Sequence, residues 1–63
     1  MDIEKALKLK VGDSVFFPPD RWEGGGVGMV SHVSSRVNKN YHGVEYVWVG
    51  LNGGGVWPSN RLK

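Results

Sequence analysis

Sixty-three residues leave room for one domain, and a domain of that size buries only about 60% of its unfolded surface. Eight Lys and Arg residues against six Asp and Glu residues give a net charge of +2. That charge permits contact with nucleic acid but is too weak for a packaging protein. The absence of cysteine excludes disulfides and thiolate metal sites, and ten glycines with three tryptophans favour an all-β fold.

Residues 1–10 are predicted to form an N-terminal arm or short helix ahead of the main domain. Asp2 is placed to cap such a helix, and Ile3, Ala6 and Leu7 follow at helical spacing on one face. Two turns of helix are marginal in isolation, so we expect the segment to lean on the rest of the domain. Its lysines form either a solvated edge or an arm that contacts phosphate.

Residues 11–63 show the short strands and tight turns of a small barrel. Val11-Gly12-Asp13 is a predicted turn in which Asp13 accepts backbone N–H groups. The predicted strands are Ser14–Phe17, Val27–Ser34, Val44–Gly50 and the short pair Val56–Trp57. Two prolines follow the first strand, and the spacing of the second strand's valines indicates a β-bulge.

Two loops carry candidate contact residues. The stretch Ser35–Gly43 is polar and is predicted to be a hairpin loop that presents Arg36 and Lys39. The other loop precedes the triple glycine Gly24–Gly26 and contains Trp22. That indole either folds back as a lid on the barrel or forms part of a binding surface.

Alternation along Val44–Leu51 places aromatic and aliphatic side chains on opposite faces. We predict that Val47 and Val49 face the core, and that Tyr46, Trp48 and Trp57 form an outer aromatic patch. The other predicted core residues are Val15, Phe17, Val30, Val33, Val56 and Leu62. The alternative is that a chain of 63 residues needs its large aromatics for its own core.

Two segments resemble eukaryotic SH3 domains. Gly55–Leu62 (GVWPSNRL) is similar to the family's Gly-x-x-Pro-Ser-Asn-Tyr-Val ending, and Leu9–Asp13 (LKVGD) resembles its Leu-x-Phe-x-x-Gly-Asp segment. The resemblance implies a single SH3-like five-stranded barrel in which Pro58 and Asn60 line a groove for proline-rich peptides. Arg61 stands where that family has a tyrosine, and its Ala-Leu-Tyr-Asp-Tyr segment has no counterpart. The resemblance therefore implies the fold more than the ligand.

Other small barrels share parts of this pattern. Gly55–Pro58 is similar to the Gln-Ile-Tyr-Pro strand of plasmid-encoded type II dihydrofolate reductases, but Gly55 replaces the glutamine that contacts substrate, so that activity is not implied. The turn and strand at Gly12–Val15 also resemble KOW modules and integrase C-terminal domains, a likeness that implies basic loops contacting nucleic acid. An aromatic cage for methyl-lysine is a further reading of the tryptophans and Tyr46.

The sequence contains no nucleophile–base pair, paired carboxylates, metal cluster or cofactor loop, so we predict a binding module rather than an enzyme, with no cofactor. Nucleic acid is favoured narrowly as the partner, through basic loops and stacking aromatics. The alternative is a peptide or partner domain bound at the Trp48/Trp57/Pro58 corner, and homo-oligomerisation stays open. The candidate binding residues are Trp22, Arg36, Lys39, Tyr46, Trp48, Trp57, Pro58, Asn60, Arg61 and Lys63. Without a long apolar run or signal peptide, we expect a cytoplasmic protein with no membrane contact.

Overall fold

A computed structural model describes residues 1–19, 21, 24–53 and 55–63. Within them the fold is all-β with one short helical turn at the N-terminus, as the sequence predicted. In chain order the elements are α1 (Ile3–Ala6), β1 (Ser14–Phe17), β2 (Gly26–Val33), β3 (Asn38–Lys39), β4 (Glu45–Tyr46), β5 (Trp48–Leu51), β6 (Gly55–Pro58) and a 3₁₀ helix (Ser59–Arg61). The strands β1-β2-β5-β6 form one antiparallel sheet, and β3-β4 form a second of two strands.

One pair of side chains on the two edge strands of the four-stranded sheet is in contact. The rings of Phe17 in β1 and Trp57 in β6 lie 5.7 Å apart. Beyond the 3₁₀ helix, the backbone of Lys63 exchanges two hydrogen bonds of 2.9 Å with Phe16. This single residue pair is too short to make a fifth strand, and the described residues contain no closed sheet. The five-stranded barrel is therefore not shown by the ladder pattern.

Local sequence signals set the first two strands where they were predicted. The turn before β1 is held by Asp13, whose Oδ2 accepts the Lys10 N–H at 2.8 Å. The strand then runs over Ser14–Phe17 and ends at the two prolines. The predicted β-bulge is confirmed, because the register between β2 and β5 shifts between Val30 and His32.

The predicted strand Val44–Gly50 is wrong as one continuous element, because it is broken at Val47. The Val47 N–H donates to the Ser59 Oγ at 3.0 Å, and the Val47 carbonyl accepts the Ser59 N–H at 2.9 Å. Val47 therefore bonds to the 3₁₀ helix instead of continuing a ladder. The preceding loop also differs from the prediction, because it contains the two-residue strand β3 paired with β4.

A small aliphatic cluster forms the core. Its buried members are Ala6, Val15, Val30, Val47, Val49, Leu51 and Leu62. The predicted inward facing of Val47 and Val49 is confirmed, since both are fully buried. Phe17 and Val33 are partly buried and pack against this cluster.

The predicted facing of β6 is wrong. Val56 was expected in the core, but 64% of its surface is exposed, whereas Trp57 is partly buried against the core. Trp57 lies opposite Val49 in the ladder, and Val56 lies opposite Gly50. Because directly paired residues point to the same side of a sheet, the buried Val49 brings Trp57 inward and turns Val56 outward.

The N-terminal arm packs against β4, the 3₁₀ helix and the core. Asp2 is the N-cap of α1 and accepts the Lys5 N–H at 3.2 Å, as predicted. Ala6 is fully buried and Ile3 packs against the core, whereas Leu7 is 52% exposed and leaves the predicted apolar face. The Met1 amine donates to the Leu62 carbonyl at 2.5 Å.

Candidate functional site

A concave surface opens where β5, β6 and the 3₁₀ helix meet. We call it the aromatic groove; its volume is about 210 Å³ and it is lined by Asn40, Tyr46, Trp48, Pro58, Asn60 and Arg61. Trp48 lies directly opposite Pro58 in the ladder, so both side chains point to the same side of the sheet. The Tyr46 ring meets Trp48 edge-on, with centroids 5.4 Å apart and planes at 89°. The result is a rigid apolar wall.

A second groove lies at the end of β1. We call it the proline groove; its volume is about 270 Å³ and it is lined by Phe16, Phe17, Pro18, Pro19, Arg61 and Lys63. The two backbone hydrogen bonds between Phe16 and Lys63 hold the chain end against β1 and so build one side of this groove. The two prolines build another side with fixed backbone geometry.

Arg61 lines both grooves, so they adjoin at the 3₁₀ helix. That helix is anchored from below by Ser59, which is fully buried and exchanges two hydrogen bonds with Val47. Because Ser59 points into the protein, its neighbours Pro58, Asn60 and Arg61 are left to face the grooves. The Pro-Ser-Asn-Arg sequence thus couples one buried anchor to three groove residues.

The charge at the two grooves is of one sign. Arg61 and Lys63 are the cations of the lining, and none of the described residues that line either groove is acidic. Arg61 is exposed and Lys63 is exposed, so both charges face solvent. The surface can therefore offer apolar contact on either side of a positive charge.

Asn60 contributes a hydrogen-bond acceptor for which the described part of the chain supplies no donor. Its Oδ1 is buried and has no hydrogen-bond partner among the described residues, although the residue lines the aromatic groove. A buried polar atom without a partner costs about 1–3 kcal/mol. A ligand that offered this amide a partner would recover part of that free energy.

The structure gathers some of the predicted site residues and separates others. Tyr46, Trp48, Pro58, Asn60 and Arg61 line the aromatic groove, and Lys63 lines the proline groove. Trp57 lines neither groove and packs on Phe17 instead. The predicted outer patch therefore loses one of its three aromatics. Trp22 lies outside the described residues.

The two cations of the β3 region are not part of either groove lining, although Lys39 is the chain neighbour of Asn40, which lines the aromatic groove. Arg36 is exposed, and its backbone N–H donates to the Ser34 Oγ at 3.2 Å. Lys39 lies opposite Glu45 in the β3-β4 ladder, so the acid shares its face and reduces the local positive potential. Neither side chain lines a groove in the described part of the chain.

Sequence reasoning missed the proline groove. Phe17 was assigned to the core and Pro18-Pro19 to a strand end, and nothing local showed that the Lys63 end of the chain returns to Phe16. The available signal was the pair Phe16-Phe17: alternation in a strand must turn one of two adjacent rings outward. Phe16 is that ring, with 59% of its surface exposed.

Two searches for specialised sites give no candidate among the described residues. No group of three or more His, Cys, Asp or Glu side chains there is arranged to hold a metal ion. No helix in residues 1–19, 21, 24–53 and 55–63 combines the length and apolarity needed to cross a membrane.

Comparison with known proteins gave no match to a protein-family model, a curated protein or a solved structure.

Proposed function

We propose that this protein is a non-enzymatic interaction module that holds an extended peptide segment of a partner protein. The observation that carries the proposal is the aromatic groove, in which Tyr46, Trp48 and Pro58 form one apolar wall beside the Asn60 amide. Aromatic-lined grooves of this kind accept extended, polyproline-type segments, whose conformation needs no internal hydrogen bonds. The resemblance to SH3 domains supports the same reading for Pro58 and Asn60.

The adjoining proline groove extends the contact surface. An extended peptide is longer than one groove, and Phe16 with Pro18 and Pro19 offers a second apolar site on the far side of Arg61. A five-stranded SH3-like barrel is part of this proposal. It is supported by the Phe17–Trp57 contact and the Phe16–Lys63 hydrogen bonds, which bring the two edges of the sheet together.

Nucleic acid is the second candidate partner, and the cations of the groove lining favour it. Trp48 is 42% exposed beside Arg61, an arrangement that suits a stacked base and a neighbouring phosphate. The case is weaker than the sequence indicated, because Arg36 and Lys39 do not line the grooves. Since each neutralised phosphate adds to the salt dependence of binding, two cations predict a shallow one.

The test is selection from a displayed library of random 12-residue peptides on the immobilised protein, with the Trp48→Ala variant as counter-selection. We expect peptides that the native protein enriches and the variant does not, because Trp48 forms a wall of the aromatic groove. Tryptophan fluorescence then gives the affinity of each synthetic peptide. Thermal unfolding of Trp48→Ala verifies that the variant is folded.

Two outcomes would overturn the peptide proposal. The first is a selection that yields no peptide dependent on Trp48. The second is quenching of tryptophan fluorescence by single-stranded oligonucleotides at low salt that disappears at high salt, with no Trp48-dependent peptide recovered. That second result would assign the surface to nucleic acid.

A further inference from the structure

The charge at the junction of the two grooves restricts which peptide fits. Arg61 belongs to both linings and Lys63 to the proline groove. No ion pair joins either side chain to an acid among the described residues, and Asp20 and Glu23 lie outside them. A basic ligand residue at the junction would be repelled by charge of the same sign. A neutral ligand residue would leave the Arg61 guanidinium hydrated and without a charged partner.

We infer that the partner segment carries an aspartate or glutamate between two apolar side chains, with its carboxylate at Arg61. The inference rests on the proposed peptide-binding function and names the chemistry of the ligand. The two apolar side chains occupy the aromatic and proline grooves on either side of the carboxylate. The positive charge of Arg61 and Lys63 is complementary to that single negative charge.

Because Arg61 lines both grooves, the acid is placed inside the segment, between the residues that occupy the two grooves. A terminal carboxylate at Arg61 would leave one groove empty. The planar fork of a guanidinium pairs with a carboxylate through two parallel hydrogen bonds, so Arg61 is suited to fix orientation as well as charge. Lys63, as a point charge on a flexible stem, adds attraction with less direction.

The size of the effect is limited by solvent. Arg61 is exposed, and exposed ion pairs contribute modestly because water and salt screen them. We therefore expect the acidic residue to change affinity by about two- to fivefold. The apolar contacts supply most of the binding, and the carboxylate supplies selectivity.

The experiment uses three libraries of extended 11-residue peptides whose central residue is fixed as Asp, Asn or Lys and whose other positions are random. On the native protein we expect Trp48-dependent peptides to be recovered most strongly from the Asp library and least from the Lys library. In a recovered peptide, replacing the central Asp by Asn should weaken binding about two- to fivefold. The same replacement should have little effect with Arg61→Gln.

Arg61→Glu supplies the converse result, since it should reverse the order of the three libraries. The matched control is Arg36→Glu, which makes the same change of charge at an exposed position outside both grooves and should leave the order unchanged. Thermal unfolding verifies that the variants are folded. The Asp-to-Asn comparison needs no change to the protein, so it stands even if an Arg61 variant unfolds.

The outcomes distinguish a failure of this inference from a failure of the proposed peptide-binding function. Equal recovery from all three libraries, with dependence on Trp48 retained, would overturn the acidic ligand and leave the peptide-binding module standing. Recovery from none of them would overturn both. Displacement of an Asp peptide by oligothymidylate with higher affinity would assign the Arg61 charge to phosphate and overturn the inference.

Discussion

Ser59 shows how one buried hydroxyl shapes the surface around it. Its Oγ accepts the Val47 N–H at 3.0 Å, and its own N–H donates to the Val47 carbonyl at 2.9 Å. The Leu62 N–H donates to the Ser59 carbonyl at 3.1 Å, so the residue fixes both the break between β4 and β5 and the 3₁₀ turn. The groove residues Pro58 and Asn60 owe their placement to this anchor.

Ser59→Ala should lower the free energy of unfolding by about 1–3 kcal/mol, because it leaves the buried Val47 N–H without an acceptor. Urea denaturation measures the change. Ser35→Ala is the control, since Ser35 is exposed and should change stability by less than about 0.5 kcal/mol. Equal stabilities for the two variants would show that the Ser59 hydroxyl has no anchoring role.

Among the elements, the end of β1 and the residue before β2 approach each other closely, backbone to backbone, at Gly25. A Cβ added at Gly25 would lie 2.8 Å from the Phe17 carbonyl oxygen and 2.8 Å from the Pro19 nitrogen and Cδ. Real side chains do not approach backbone this closely. Glycine at position 25 is therefore required for Phe17, Pro18 and Pro19 to take the positions that line the proline groove.

Gly25→Ala should destabilise the protein by about 1–3 kcal/mol, because the new methyl group forces the backbone of Phe17 or Pro19 to move. Gly24→Ala is a matched control: an added Cβ there meets nothing within 4 Å. The Gly24→Ala substitution should leave the free energy of unfolding unchanged or raise it slightly, because alanine lowers the conformational entropy of the unfolded chain. Denaturant titration of both variants tests the contrast, and a destabilisation shared by both would contradict the contact at Gly25.

The α1 helix depends on its cap and on packing more than on its own length. It spans Ile3–Ala6 only, and Asp2 accepts the Lys5 N–H at its start. Asp2→Ala should cost about 1 kcal/mol of unfolding free energy, whereas Asp2→Asn keeps an acceptor and should retain most of the stability. Thermal denaturation distinguishes the two. If Asn were as damaging as Ala, the charge of Asp2 rather than its cap would be responsible.

For the whole molecule, the contact between the edge strands of the four-stranded sheet is the feature that shapes the proline groove. Trp57 packs on Phe17 between these strands, and the Lys63 backbone exchanges hydrogen bonds with Phe16 beside them. A domain of this size has a small core, so loss of one large aromatic contact removes a substantial part of its stability.

Trp57→Ala should lower the free energy of unfolding by about 2–3 kcal/mol, less than the roughly 3–5 kcal/mol of a fully buried aromatic, because the side chain is only partly buried. Trp57→Phe should recover part of it by keeping a ring against Phe17. Trp48→Ala should cost less stability and act on binding instead. Circular dichroism melts of the three variants test this division. A Trp48→Ala variant less stable than Trp57→Ala would reverse the roles that we assign to the two indoles.

What the sequence could predict was local. The Asp2 cap, the Asp13 turn and the bulge in β2 each follow from residues within one segment, and the structure has all three. The alternation along Val44–Leu51 likewise gave the inward facing of Val47 and Val49. The facing of Trp57 could not be read in the same way, since β6 is too short to show a period and takes its phase from pairing with Val49.

The sequence predicted only those site residues that lie close together in one hairpin. Trp48 and Pro58 were found because both belong to the β5–β6 hairpin and pair directly. The proline groove joins Phe16 to Lys63, two positions far apart in the chain that meet only through backbone hydrogen bonds. That Arg36 and Lys39 are absent from both groove linings is also a consequence of tertiary structure, and it is the reason that we propose a peptide rather than nucleic acid as the ligand.

Chemical-shift mapping tests the proposed surface most directly. ¹⁵N-labelled protein would be titrated with the pool of Trp48-dependent peptides, and separately with oligothymidylate. We expect the peptides to shift the Trp48 indole N–H, the Asn60 side-chain amide and the Arg61 Nε–H, with Arg36 and Lys39 unmoved. Shifts centred on Arg36 and Lys39, or produced by the oligonucleotide alone, would contradict peptide binding at the two grooves.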